Sequence, residues 1–144
     1  MGYCSNVAIC LKTKDAKSMY EKALQEFNDD VKDSKYVLDL LNAGYINQNM
    51  TLTQNISTND KIEIILNDLN RKIEENTKYV VLRFEWLKWY DSYSDVGWIV
   101  RNIRQFDYYE MVEIGEDNAT NEERSEEGDD VYNLDVICEI DIRV

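Results

Sequence analysis

The chain has no histidine among its 144 residues, so it lacks the side chain best suited to general acid/base work near neutral pH. Without histidine there is no Ser-His or Cys-His nucleophile pair, and zinc sites of the Cys/His type are excluded. Cysteine is almost as scarce. Cys4, Cys10 and Cys138 are odd in number and stand at no metal-ligand spacing, so they read as small reduced packing residues of a cytosolic protein. Five glycines form neither a Walker-type nor a dinucleotide loop, which leaves a backbone cradle for phosphate without sequence support. No apolar run approaches the ~18 residues of a membrane span, and the N-terminus lacks a basic region followed by an apolar one. Carboxylate pairs remain as catalysts, but they are so numerous that none stands out. The expectation is a protein that is not an enzyme, uses no cofactor or metal and has no membrane association.

Positive charge is also missing, and from one region only. Asp107 to Val144 holds fourteen acidic side chains against Arg124 and Arg143, a local net charge of -12 out of -13 for the whole chain. The first 106 residues are nearly neutral. A dense field of one sign attracts cationic partners, and extended cationic surfaces in cells are chiefly those that hold nucleic acid. The competing reading is a solvated loop that keeps the chain soluble. Asp117, Asn121, Glu122 and Glu123 offer oxygen donors of the kind calcium prefers, but they lack the EF-hand order of acids and its central glycine.

The residues that are present suffice for one folded domain over 1–144, with 44% apolar and 11% aromatic side chains and length for a single core. Val7, Ile9 and Leu11 alternate with Ala8 and Cys10, the pattern of a strand buried on both faces in mid-sheet. From Asp15 the period becomes helical, with Ala16, Met19, Tyr20, Ala23, Leu24 and Phe27 on one stripe. A second helix follows from Ser34 as N-cap to Gly44 as C-cap. Tyr45 to Ile56 reads as loop or edge strand, and Ser57 with Asp60 as a box opening a helix that buries Ile62, Ile65, Leu66, Leu69 and Ile73. Lys78 to Tyr90 predicts a strand with Val80, Leu82, Phe84 and Trp86 on one side. A helix from Ser94 turns Val96, Ile99, Val100 and Ile103 inward. Asp107–Ile114 and Val131–Ile142 then predict two strands joined by an acidic loop at 117–130. The fold class is α+β, a mainly antiparallel sheet with three to four helices packed on it.

Within the last strand, Asp135, Glu139 and Asp141 share the face opposite Leu134, Val136 and Ile142. With Glu116, Asp117, Glu122, Glu123, Glu126, Glu127, Asp129 and Asp130 they outline a track of carboxylates, as phosphates line a nucleic acid. Outward carboxylates also discourage edge-to-edge aggregation of a sheet. Trp86, Trp89, Tyr90, Tyr93 and Trp98 cluster at a strand-to-helix junction. Most should fill the core, with Trp89 and Tyr93 as candidate anchors for a protein partner.

Met1-Gly2-Tyr3-Cys4-Ser5-Asn6-Val7-Ala8, Leu87-Lys88-Trp89-Tyr90 and Val112-Glu113-Ile114-Gly115-Glu116-Asp117 together resemble a family of small proteins of phage and prophage genomes. The resemblance covers the first strand and about Tyr79 to Ile142, and leaves out Asp33 to Glu75. It implies a phage setting and an α+β fold and supplies no catalytic residues; joined to the lack of a span or leader, it leads to the expectation of the cytoplasm of a bacterial host. In that setting the acidic track suggests an inhibitor of a host defence complex, binding a basic nucleic-acid-binding protein or ribonucleoprotein and no nucleic acid directly. An interaction module working through the aromatic cluster is the alternative, and a carboxylate-metal enzyme a further one. Homodimerisation through the last strand stays open.

Overall fold

The computed structural model describes residues 3–46, 58–137 and 141–143. In chain order the elements are β1 (Ser5–Lys12), α1 (Thr13–Asn28), α2 (Ser34–Ala43), β2 (Tyr45–Ile46), α3 (Thr58–Glu74), β3 (Tyr79–Leu87), α4 (Ser94–Ile103), β4 (Tyr109–Gly115), β5 (Thr120–Arg124), α5 (Glu126–Val131), β6 (Asp135–Ile137) and β7 (Asp141–Arg143). The class is α+β, as the patterning predicts.

Apolar residues at every position from Val7 to Leu11 leave β1 no face that tolerates water, and it takes the centre of a five-stranded sheet ordered β2-β3-β1-β4-β5, antiparallel throughout. On one face Val7, Ile9, Leu11, Val80, Leu82, Phe84 and Met111 meet the stripes of α1 to α4. Val96, Ile99, Val100 and Ile103 of α4 are all buried there, with Ile62, Ile65 and Leu69 of α3. On the other face Ala8, Cys10, Val81, Val112 and Ile114 lie under Leu134 and Ile142 of the C-terminal segment.

Four expectations are corrected. The acidic stretch 117–130 is not a loop: it forms β5, hydrogen-bonded along β4, and then α5, whose N-cap Ser125 accepts a hydrogen bond from the Gly128 amide at 2.9 Å. Glu126, Glu127 and Asp129 stand in the first turn of α5, where carboxylates suit the positive end of the helix. The continuous strand over Val131–Ile142 is also absent. Val131 closes α5, Tyr132 turns through a left-handed conformation with φ 55, and β6 and β7 pair with each other as a separate two-stranded sheet. Ser34 is the first helical residue of α2, and Asp33 is its N-cap. Finally, Trp86 does not join Phe84 in the core. The register of β1 against β3 shifts there, Trp86 takes φ 54, and the residue is 58% exposed. Ser57 of the expected opening box, and most of Tyr45–Ile56, lie outside the described residues.

Candidate functional site

The carboxylates singled out above do not form one row, because β5 is a strand and separates them. Glu116 and Asp117 sit at the turn before it, while α5 begins beyond its far end, ~17 Å away for five residues at about 3.4 Å each. At the turn, Glu116 accepts from the Cys4 amide at 3.2 Å, and Asp117 accepts from the Tyr3 hydroxyl and the Ala119 amide. The Tyr3 hydroxyl, aided by the Ala119 amide, holds the Asp117 carboxyl below its ordinary value.

Along β5 the side chains alternate between the two faces of the sheet. Glu123 stands opposite Met111 on the helix side, where the Arg104 guanidinium donates to both its oxygens at 2.8 Å and the Tyr109 hydroxyl donates at 2.8 Å. Arg104 thereby holds the Glu123 carboxyl below its ordinary value, with partial burial opposing and Tyr109 adding to the effect. Glu122 stands opposite Val112 on the other face and accepts from Arg124 Nη1 at 2.7 Å. β5 ends the sheet order, so these charges mark an edge strand that repels pairing with another strand.

Behind that edge lies the residue the sequence reading missed. Glu110 is 0% exposed, and four donors surround it: Arg124 Nε at 2.9 Å and the Leu134 amide at 3.1 Å on Oε1, the Asn133 amide at 2.6 Å and the Tyr108 hydroxyl on Oε2. Arg124, its side chain 6% exposed, also donates to the Leu134 carbonyl at 2.6 Å and lies 3.9 Å from the centre of the Tyr132 ring. Burial works against the Arg124 charge, but hydrogen bonds to Glu122 and Glu110 more than offset it and raise its pKa. Asn133 Nδ2 reaches the Tyr108 hydroxyl at 3.0 Å and Cys10 Sγ at 3.9 Å. Burial, chiefly, pushes the Cys10 thiol up to about 11, which makes it a poor nucleophile. One signal was available in the sequence: Tyr108, Glu110, Val112 and Ile114 have period two, which puts a carboxylate in phase with core residues. This constellation centres on Glu110 and Tyr108, both 0% exposed. It pins the C-terminal segment to the sheet, because a buried carboxylate cannot give up its donors cheaply.

Three of the four α5 carboxylates differ from all of these. Glu127 pairs with Lys12 at 3.0 Å. Glu126, Asp129 and Asp130 are exposed and make no ion pair or side-chain hydrogen bond among the described residues. Asp135 opens β6, opposite Arg143; Glu139 and the side chain of Asp141 lie outside the description. Among the described residues no three Asp, Glu or Cys side chains converge as metal ligands, and no helix is long and apolar enough to cross a membrane.

Of the two aromatic anchors, Trp89 is corrected. It is 5% exposed, tilted against Phe84 at 5.2 Å between ring centres, and belongs to the core. Tyr93 is 44% exposed and meets Tyr90 edge-on at 5.2 Å. Trp86 is the more open ring. Comparison with family models, with curated proteins and with solved structures gives no match.

Proposed function

We propose that the chain is a phage-encoded stoichiometric inhibitor of a bacterial nucleic-acid-targeting defence complex, of the anti-CRISPR or anti-restriction type, that occupies a basic groove of the complex in place of nucleic acid. The observation that carries this reading is the contrast among the acids. Those around β5 are already matched by arginines, hydroxyls and amides, whereas Glu126, Asp129 and Asp130 of α5 face solvent together on six residues of helix. Their chemistry suits Lys and Arg side chains that otherwise meet phosphate, through charge-assisted hydrogen bonds. α5 is also anchored as a presenting element should be. Its Gly128 lies so close to β4 that an added Cβ would stand 2.3 Å from the Tyr109 carbonyl oxygen, and Lys12 of β1 holds Glu127.

Exposed charges are screened beyond about 8 Å at physiological ionic strength, so the complex should weaken as salt rises. The test is capture from bacterial lysate on the immobilised protein at low and at high salt. The reading expects a basic nucleic-acid-binding protein or ribonucleoprotein, retained at low salt, released at high salt, and displaced by added duplex DNA or RNA. A retained protein with no basic surface, or retention indifferent to salt and nucleic acid, would count against it.

A further inference from the structure

One concavity of this acidic chain is basic. A cavity of about 500 Å³ lies between the junction of β1 with α1 and the connection from α3 to β3, and Lys12, Lys14 and Lys78 line it with no carboxylate among the lining residues. In a chain of net charge -13, three ammonium groups at one hollow set a local field of the opposite sign. Two of them are free to meet a ligand. Lys12 is held by Glu127 at 3.0 Å and adds only its field, whereas Lys14 and Lys78 are exposed and make no ion pair among the described residues. The Lys78 ammonium lies 5.3 Å from the centre of the Tyr79 ring, which leaves its N–H donors unspent.

The walls that carry these lysines are tied together. Thr13 donates its amide to the Lys78 carbonyl at 2.9 Å and its hydroxyl to the Thr77 carbonyl at 2.6 Å, and the Thr77 amide donates to the Lys72 carbonyl at 2.8 Å. Asn76 turns the chain there at φ 62, a conformation that asparagine tolerates. The same seam adds donors of a second kind. Lys12, the N-cap of α1, supplies no side-chain acceptor, Thr13 has spent its hydroxyl on Thr77, and the Lys14 and Asp15 amides have no hydrogen-bond partner among the described residues. Asp15 stands in the same turn but is not part of the lining. Ammonium groups and unpaired amides on one cavity form the donor set that suits a phosphate.

We propose that this cavity binds a small phosphate monoester, its phosphate held by the Lys14 and Lys78 ammonium groups and the amides that open α1. The volume falls in the range of small-molecule sites and exceeds what a phosphate alone fills. Ile73 supplies an apolar wall, against which the organic part of the ester rests. The site is separate from the exposed acids of α5 and stands whether or not they engage a defence complex.

AMP is the probe, adenosine its uncharged counterpart and inorganic phosphate the group without its ester, each titrated into ¹⁵N-labelled protein at low ionic strength. The expected result is saturable shifts at the Lys14, Asp15 and Thr77 amides with AMP, the same shifts at higher concentration with inorganic phosphate, and none with adenosine. Lys14→Gln and Lys78→Gln should each weaken AMP binding about threefold and together about tenfold. Both lysines are exposed, so the variants should keep the wild-type melting transition. Lys35→Gln, which removes a lysine paired with Asp39 on α2, should change nothing, nor should neutralising Glu126, Asp129 and Asp130. Equal shifts with adenosine, inorganic phosphate binding as tightly as AMP, no saturable shift, an equal loss with Lys35→Gln, or wild-type affinity in the double variant would overturn the assignment.

Discussion

Glu122 and Glu123 on β5 each accept from an arginine within 2.8 Å, whereas Glu126, Asp129 and Asp130, only a few residues further on, have no cation beside them among the described residues. The difference arises from where each backbone places its side chains. Alternation along β5 sends Glu123 towards Arg104 of the helix layer and Glu122 towards Arg124. α5 then turns three carboxylates away from both. Charge density along a sequence therefore overstates the field that a partner meets, since part of it is neutralised inside the fold. Acids of the first kind are tied into the fold, and those of the second are left facing solvent.

The sharpest way to break this comparison is at Glu110 and Arg124. Arg124→Ala leaves a buried carboxylate without its cation and should cost about 3–5 kcal/mol in chemical denaturation. Amide exchange at Asn133 and Leu134, whose N–H groups end on Glu110, should speed up with it. Unchanged stability would mean that the C-terminal segment is held by Leu134 and Ile142 alone. A smaller effect belongs to Glu123. Glu123→Gln should lose roughly 0.5 kcal/mol, because Arg104 is half exposed and solvent screens the pair. The Glu123 carboxyl is held below its ordinary 4.5, so its contribution is complete above about pH 4.5 and disappears as pH falls through the folded value. In the Gln variant the acid limb of the stability profile should be shallower. The smallest effect is chemical: Cys10, buried and pushed up to about 11, should stay unmodified by a thiol reagent at mildly alkaline pH until the protein is unfolded.

Much of the scaffold was legible because its signals are local. The stripes of α1, α3 and α4 and the two-sided apolar run of β1 each need only one element's own periodicity. What escaped depends on contacts between distant residues. Glu-Glu-Gly-Asp-Asp has poor intrinsic helix propensity, and α5 exists through its Ser125 cap and a close seat against the Tyr109 carbonyl. The alternation from Tyr132 to Ile142 looked like one strand, but Glu110 captures the Asn133 and Leu134 amides and the chain turns at Tyr132. Trp86 and Trp89 exchanged expected environments because the bulge opposite Asn6 shifts the register. Of the candidate site, the acidic character of the C-terminal region was readable. Its division into matched and unmatched carboxylates was not, since Arg104 reaches Glu123 from another element.

The central claim is tested most directly by the affinity of the partner captured from lysate for the Glu126→Gln, Asp129→Asn, Asp130→Asn variant, measured beside Glu122→Gln, Glu123→Gln. The account predicts about a tenfold or greater loss for the α5 variant, with its melting transition little changed, and near wild-type affinity for the β5 variant. Wild-type affinity in the α5 variant would contradict it.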